Sequence, residues 1–405
     1  MAEIETLMGV SATDIEKVMG VGSGDIESVM GVELVTSNAW QGTRALGYGY
    51  SHDGTLGGST TYNHDRIMYK TMASAATTLD FGNISSNAET NYASGFQGGG
   101  RCMFAGIYDK SSGSFAVRNT MQYITVANTG NSTDAGDLNT AAITTVGNGG
   151  GSNGTTALLA HGWNSSWGVI TGMEYFTISS TGDASVGGDK TVARGSNGVG
   201  NSTRVWWLAG YDGAYPRSNI IDSGTYASPT SDASDWGDCY QGNQPPLEGS
   251  ESRIIVFPQY GDGAYAATGS TSFDFSNVYI YYFGTASAGD VSEFGYGHLF
   301  TCDQANYSWY PNGQDSAIST DSNQKFAVHE GSVMSDGTRC EQWAGRTYTG
   351  TTNASTQNGC GDQGNKDIYY ITIASTGNAA DAGYDIADLS ETFDRTSNGA
   401  GCTGT

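Results

Sequence analysis

Short runs of aromatic and β-branched residues, each followed by a polar turn and closed on a glycine, recur along this chain. Three copies are nearly alike: Met121 to Asp137 reads MQYITVANTGNSTDAGD, Met173 to Asp189 reads MEYFTISSTGDASVGGD, and Tyr369 to Gly383 reads YYITIASTGNAADAG. Apolar residues alternating with polar ones over a few positions predict half-buried strands. The Thr-Gly-Asn or Thr-Gly-Asp steps at Gly130, Gly182 and Gly377 predict tight turns, because glycine and asparagine tolerate positive φ. Degenerate copies at 67–83, 221–238 and 279–296 keep the strand and an aromatic or small residue before a glycine. The closing glycines are Gly82, Gly136, Gly188, Gly237, Gly295 and Gly383, so four intervals fall between 49 and 58 residues and the last is 88.

A second strand recurs between these copies, opened by a small polar residue with Arg or a neighbour and closed on Gly. It reads TRALGYG from Thr43, GRCMFAG from Gly100, TTALLAHG from Thr155, TRVWWLAG from Thr203, SRIIVFPQYG from Ser252 and QKFAVHEG from Gln324. Six of each give six units with a period near fifty, which points to a propeller or a solenoid. A solenoid needs a cap at each end, and no cap sequence is visible. The expected fold is therefore all-β: a six-bladed β-propeller, with seven blades possible, closed by N- and C-terminal strands. In that reading the last copy, Tyr370 to Gly383, lends its strand to the blade begun at Trp40 to Tyr50.

The YITIASTGNAADAG and YITVANTGNSTDAGD copies with their TRxxxxG strands resemble the kelch-like β-propeller repeats of virion structural proteins from marine tailed phages, especially those infecting cyanobacteria. The resemblance spans roughly residues 33 to 405. The glycine doublet of true kelch repeats is inconsistent here and their regular Tyr/Trp pair is missing, so the kinship to kelch itself is one of shape. What the resemblance implies is a virion structural protein, of tail-fibre type, engaged in host attachment.

Residues 1–32 form a separate repeat: 4–10, 15–21 and 26–32 recur every 11 residues as an Ile-Glu-x-(Leu/Val)-Met-Gly-Val unit. Asp14 and Asp25 can cap a helical turn and Gly20 or Gly31 can end it. One turn cannot bury its own apolar side. The expectation is an anchoring arm that presents Ile4, Met8, Ile15, Met19, Ile26 and Met30 to another virion subunit or to copies of itself; a compact cap on the propeller is the alternative. The domain reading is thus an arm at 1–32 and a propeller at 33–405, with an insertion around 296–368 that accounts for the long last interval.

Composition changes this picture little. Sixty glycines and 6 prolines in 405 residues suit many short strands joined by turns. Seventeen basic against 41 acidic residues give a net charge of −24, which repels phosphate backbones and argues against nucleic acid as a partner. The first residues show neither a basic leader nor an apolar run long enough for a membrane span, so no membrane insertion is expected. A virion subunit assembled in the host cytoplasm reconciles that with a turn-rich, Ser/Thr/Asn-rich body. Six cysteines without a CxxC pair suggest neither a disulfide framework nor a zinc site, although Cys340 and Cys360 lie close enough in sequence to pair.

Candidate chemistry is sparse. GxSxG, HExxH and GxxxxGK[ST] are all missing from the sequence. The His52-Asp53 and His64-Asp65 pairs and the Asp134 to Asp137 loop lack metal-ligand spacing, so no metal, catalytic residue or cofactor is expected. Trp206 and Trp207, with Trp163 and Trp167, read as packing between blades. Tyr211, Tyr215, Tyr260 and Tyr265 follow strand ends in Gly/Asp loops, and Trp309, Tyr310, Trp343 and Tyr348 lie in the insertion; these are the expected contacts to a host-surface glycan or protein. The alternatives are a polysaccharide depolymerase using an Asp/Glu pair on the propeller and a purely architectural decoration or connector.

Overall fold

The computed structural model describes residues 44–50, 66–72, 76–84, 90–91, 94–106, 108–109, 116–143, 149–164, 166, 168–211, 218–239, 245–257, 279–296, 299–301, 325–327, 332–347, 363–385 and 401–404, and six two-residue strands before residue 34. The chain divides into two compact units, Met1–Asn38 and Ala39–Thr405.

In the first unit each 11-residue repeat contributes a minimal antiparallel pair. Leu7 faces Val10, Val18 faces Val21 and Val29 faces Val32. The expected helical turn is therefore replaced by a strand pair, in keeping with the preference of β-branched Val for extended backbone. Ile4, Met8, Ile15, Met19, Ile26 and Met30 lie outside the described residues.

In the second unit six four-stranded antiparallel sheets follow one another. Blade 2 runs Ser94–Gly98, Arg101–Ala105, Thr120–Thr125 and Thr133–Asp137, and blade 3 runs Gly150–Ser152, Thr156–Ala160, Gly172–Thr177 and Ser185–Asp189. Blade 4 is Gly195–Gly200, Arg204–Tyr211, Ile220–Thr225 and Ser234–Asp238; blade 5 is Leu247–Gly249, Arg253–Val256, Tyr279–Gly284 and Ser292–Tyr296. Blade 6 is Ser332–Ser335, Arg339–Thr347, Gln363–Thr372 and Ala380–Asp385. Blade 1 takes Gly401–Gly404 as its first strand and Arg44–Tyr50, Arg66–Thr71 and Leu79–Asn83 as the rest. The first strands of neighbouring blades touch, and that of blade 6 touches that of blade 1, which closes a ring. The chain is a six-bladed β-propeller.

The two ends of the propeller chain do complete one blade, but not through the strand expected. Gly401 pairs with Gly47 and Gly404 with Arg44, whereas the last YITI copy stays in blade 6 beside Arg339–Thr347. The second strand of that blade is accordingly TRCEQWAG from Thr338, not QKFAVHEG; Lys325–Ala327 instead pairs with Leu299–Thr301. With Ser332–Ser335 and Arg339–Thr347 inside a blade, the excess length expected over 296–368 falls on the connections 297–331 and 348–362.

Each recurrent residue has a physical task. The Arg opening the second strand lies over the aromatic ring of a neighbouring strand: Arg44 on Tyr69, Arg101 on Tyr123, Arg253 on Tyr282 and Arg339 on Tyr370, with 3.8–4.9 Å from the guanidinium carbon to the ring centre. Arg253 also donates to the Ile373 carbonyl of the next blade at 2.7 Å. The residue before the closing glycine is an extra residue in the fourth strand: Gly136 faces Met121 and Asp134 faces Gln122, leaving Ala135 as a bulge. Phe81, Trp236 and Phe294 hold the same place in blades 1, 4 and 5, and all four are buried against the next blade.

The glycine and the turn of the following blade then form a latch. Gly182 N donates to Ala135 O at 2.7 Å, Ala184 N donates to Asp137 O at 2.8 Å, and Asp137 N donates to the Asp183 carboxylate at 3.0 Å. The same carboxylate or amide contact recurs from Asn83 to Asn131, Asp189 to Asp232 and Asp238 to Asp290. A Cβ on Gly136, whose φ is +125°, would lie 2.5 Å from the Gly182 backbone. That approach explains why the motif ends on glycine.

Apolar side chains from facing blades fill the spaces between sheets. Trp206 packs edge-on to Trp236 and Phe283, toward blade 5. Trp207, on the opposite face of the same strand, donates its indole N–H to Gly149 O at 3.0 Å, toward blade 3. Both are fully buried, as packing required.

Candidate functional site

The two rims of the propeller differ. On one, the links between first and second strands are two or three residues and those between third and fourth strands are seven or eight. On the other, the links from second to third strand and from blade to blade range from five residues (190–194) to thirty-five (297–331). Small secondary pairings arise within these longer links: Thr90–Asn91 with Tyr108–Asp109 and Ala116–Val117, and Ala142–Ile143 with Trp163–Asn164. The long-connection rim is the candidate site.

Blades 3 and 4 show how that rim is rooted. Glu174 accepts the backbone N–H groups of Asn139 at 2.7 Å and Thr140 at 2.8 Å, and its Oε1 lies 3.0 Å from His161 Nε2. Lys190 donates to the carbonyls of His161 and Arg194. Arg194 pairs with Asp222 at 2.8 Å, both side chains being wholly buried, and also donates to Ala209 O at 2.9 Å. Ala209 has φ +51°, the one non-glycine residue at positive φ among the described residues, a costly conformation that the Arg194 contact helps to hold. These ionic groups fix the starts of three successive connections, 138–149, 161–171 and 190–194. Above them, Asn164 Oδ1 accepts the N–H groups of Ser166 and Gly168, shaping a short hairpin that carries the half-buried Trp163.

Burial pushes the Glu174 carboxyl up, but the hydrogen bond and charge of His161, with the Asn139 and Thr140 N–H groups, outweigh it and bring the group below its ordinary value of 4.5. Burial, then the Arg194 charge, drives the Lys190 ammonium well below the usual lysine range against the opposing pull of Asp222. A carboxyl lowered on folding stabilises the fold above its unfolded pKa and loses that contribution as pH falls through the folded value. Melting temperature measured from pH 6 to pH 3 should thus fall below about pH 4.5, and Glu174→Gln should flatten that acid limb while lowering stability at neutral pH. An unchanged limb would mean that Glu174 does not carry it.

The expected contacts divide. Trp343 is completely buried in blade 6, donating its indole N–H to Glu341 at 2.9 Å, so it is a core residue and offers no contact surface. Tyr211 ends the second strand of blade 4, its backbone opposite Gly195. Tyr215, Tyr260, Tyr265, Trp309, Tyr310 and Tyr348 lie outside the described residues. The segments that carry them, 212–219, 257–278, 297–331 and 348–362, all begin and end at strand termini of the long-connection rim. The buried ionic roots were not anticipated, since nothing local marks Glu174 or Asp222 within their strands. Among the described residues no group of three or more His, Cys, Asp or Glu is placed to hold a metal ion, and no helix is long and apolar enough to cross a membrane.

Neither a protein-family model nor a curated protein sequence matches this chain.

Proposed function

We propose that this protein is a binding subunit of a tailed-phage particle: its propeller turns the long-connection rim toward a glycan or protein on the host surface, and residues 1–32 hold it to other virion subunits. The asymmetry of the two rims carries the reading. One rim is built from near-uniform turns whose sole aromatic is Tyr226, and the other from connections that differ in length and sequence and bear Tyr and Trp residues, the arrangement of a rigid scaffold bearing recognition loops. The buried carboxylates Glu174, Asp222 and Glu341 are each engaged by buried cations or backbone donors, which favours binding over hydrolysis. The similarity of the repeats to those of marine phage virion proteins and the 11-residue repeats ahead of the propeller support the virion assignment.

Two truncations separate the halves of this reading. Replacing residues 258–278 by a short Gly-Ser linker should abolish adsorption of the labelled protein to cyanobacterial cells while leaving the melting temperature within about 2 °C, since surface connections tolerate change in length. Removing residues 1–32 should leave a folded propeller that still adsorbs but is no longer incorporated into particles. Adsorption that survives the loss of each long connection in turn would overturn the recognition role, and normal incorporation of the truncated chain would overturn the arm.

A further inference from the structure

Blade 1 differs from the others in its first strand, which arrives from the far end of the chain. Gly401–Gly404 is joined to the rest of its sheet by pairing with Arg44–Gly47, so four residues complete the ring. A strand this short, held by hydrogen bonds and packing alone, opens readily.

Cys102, in the second strand of blade 2, is disulfide-bonded. Cys239 and Cys340 are buried free thiols, so Cys340 and Cys360 do not pair. The partner of Cys102 is therefore Cys302, Cys360 or Cys402. The strand Arg101–Ala105 packs against Gly401–Gly404, the strand that contains Cys402. Cys402 stands directly opposite Leu46 in the register, and residues opposite each other in an antiparallel pair share a face of the sheet. Leu46 belongs to the core between blades 1 and 2, and Cys102 belongs to the same core.

We infer that Cys102 is joined to Cys402, and that this bond is a clasp on the closing strand. It encloses the chain from the second strand of blade 2 through the end of blade 6 to the first strand of blade 1 in one covalent loop. Opening the ring then requires reduction as well as loss of the terminal hydrogen bonds. The clasp forms by thiol–disulfide exchange with a small-molecule disulfide such as oxidised glutathione: the Cys102 and Cys402 thiols lose two protons and two electrons, one S–S bond forms, and the oxidant's S–S bond is cleaved to two thiols. Closure is thus reversible in a reducing compartment and locked in an oxidising one.

Non-reducing proteolysis and mass spectrometry of the full chain test the pairing. A linked peptide pair containing Cys102 and Cys402 is expected; Cys102 linked to Cys302 or Cys360 would overturn the inference. Thermal melting tests the clasp. Dithiothreitol should lower the melting temperature of the native chain by about 5 °C, from the loop-closure constraint lost. Cys402→Ser should melt at that lower temperature with or without reductant, whereas Cys302→Ser should retain the reductant shift. A Cys402→Ser chain that still responds to dithiothreitol like the native one would also refute the clasp.

Discussion

Replacing Glu341 with alanine should destabilise the propeller by about 3–5 kcal/mol, seen as a fall in melting temperature of about 5 °C. Glu341 lies in the second strand of blade 6 and is wholly buried. Both of its carboxylate oxygens accept from Lys70 Nζ at 2.9 Å, across the joint with blade 1; Glu341 also accepts the Trp343 indole N–H at 2.9 Å and forms an ion pair with Arg339 Nε at 2.9 Å. Alanine deprives a buried ammonium and an indole donor of their acceptor and a guanidinium of its counter-charge, and stranding a buried charge costs more than the pair itself contributes. Glu341→Gln keeps an acceptor for the indole but removes the negative charge, so its loss should be smaller than that of alanine. The double substitution Lys70→Met with Glu341→Leu should recover part of the loss, because it removes both charges together. Chemical denaturation of the four proteins measures these differences; equal stabilities for Glu341→Ala and the native chain would show that the joint does not depend on this carboxylate.

Gly136→Ala should cost about 3 kcal/mol, from a Cβ forced against the Gly182 backbone and from a positive φ that side chains resist. Neither contact can give, because both partners are main chain: the fourth strand of blade 2 and the turn of blade 3 already share the hydrogen bonds of the latch. Gly284→Ala is the matched control. A Cβ there meets nothing within 4 Å, and the change should stay within about 0.5 kcal/mol. If the two substitutions proved equally mild, the latch between blades would not be the reason the repeat closes on glycine.

Most of the blade was written in local sequence. The Arg that stacks on a Tyr, the bulge residue before the closing glycine and the turn that receives the neighbouring blade's N–H each lie within one repeat or at a fixed offset from the next. Every copy therefore reports the same geometry, and the number of blades follows by counting. Where local pattern misled, a polar residue sat in the core or a short strand lacked an apolar period. TRCEQWAG carries Glu341 and Gln342 where the other second strands are apolar, so its pattern does not announce a core strand, yet both residues are buried, made tolerable for Glu341 by Lys70, which lies 271 residues away. The Ile-Glu-x-Val-Met-Gly-Val units fitted a helical turn as well as a hairpin, since seven residues are too few for period alone to choose.

By itself the sequence determined an all-β propeller of six repeats, its joints between blades and its acidic, turn-rich character, because those properties reside in short motifs repeated in register. The tertiary structure alone decided which strand seals the ring, which charges meet in its interior and that the long connections gather on one rim. Gly401–Gly404 has too few apolar side chains to announce itself, and ion pairs such as Lys70 with Glu341 join residues from opposite ends of the propeller chain. The free energy of both comes from neighbours that only ring closure brings together.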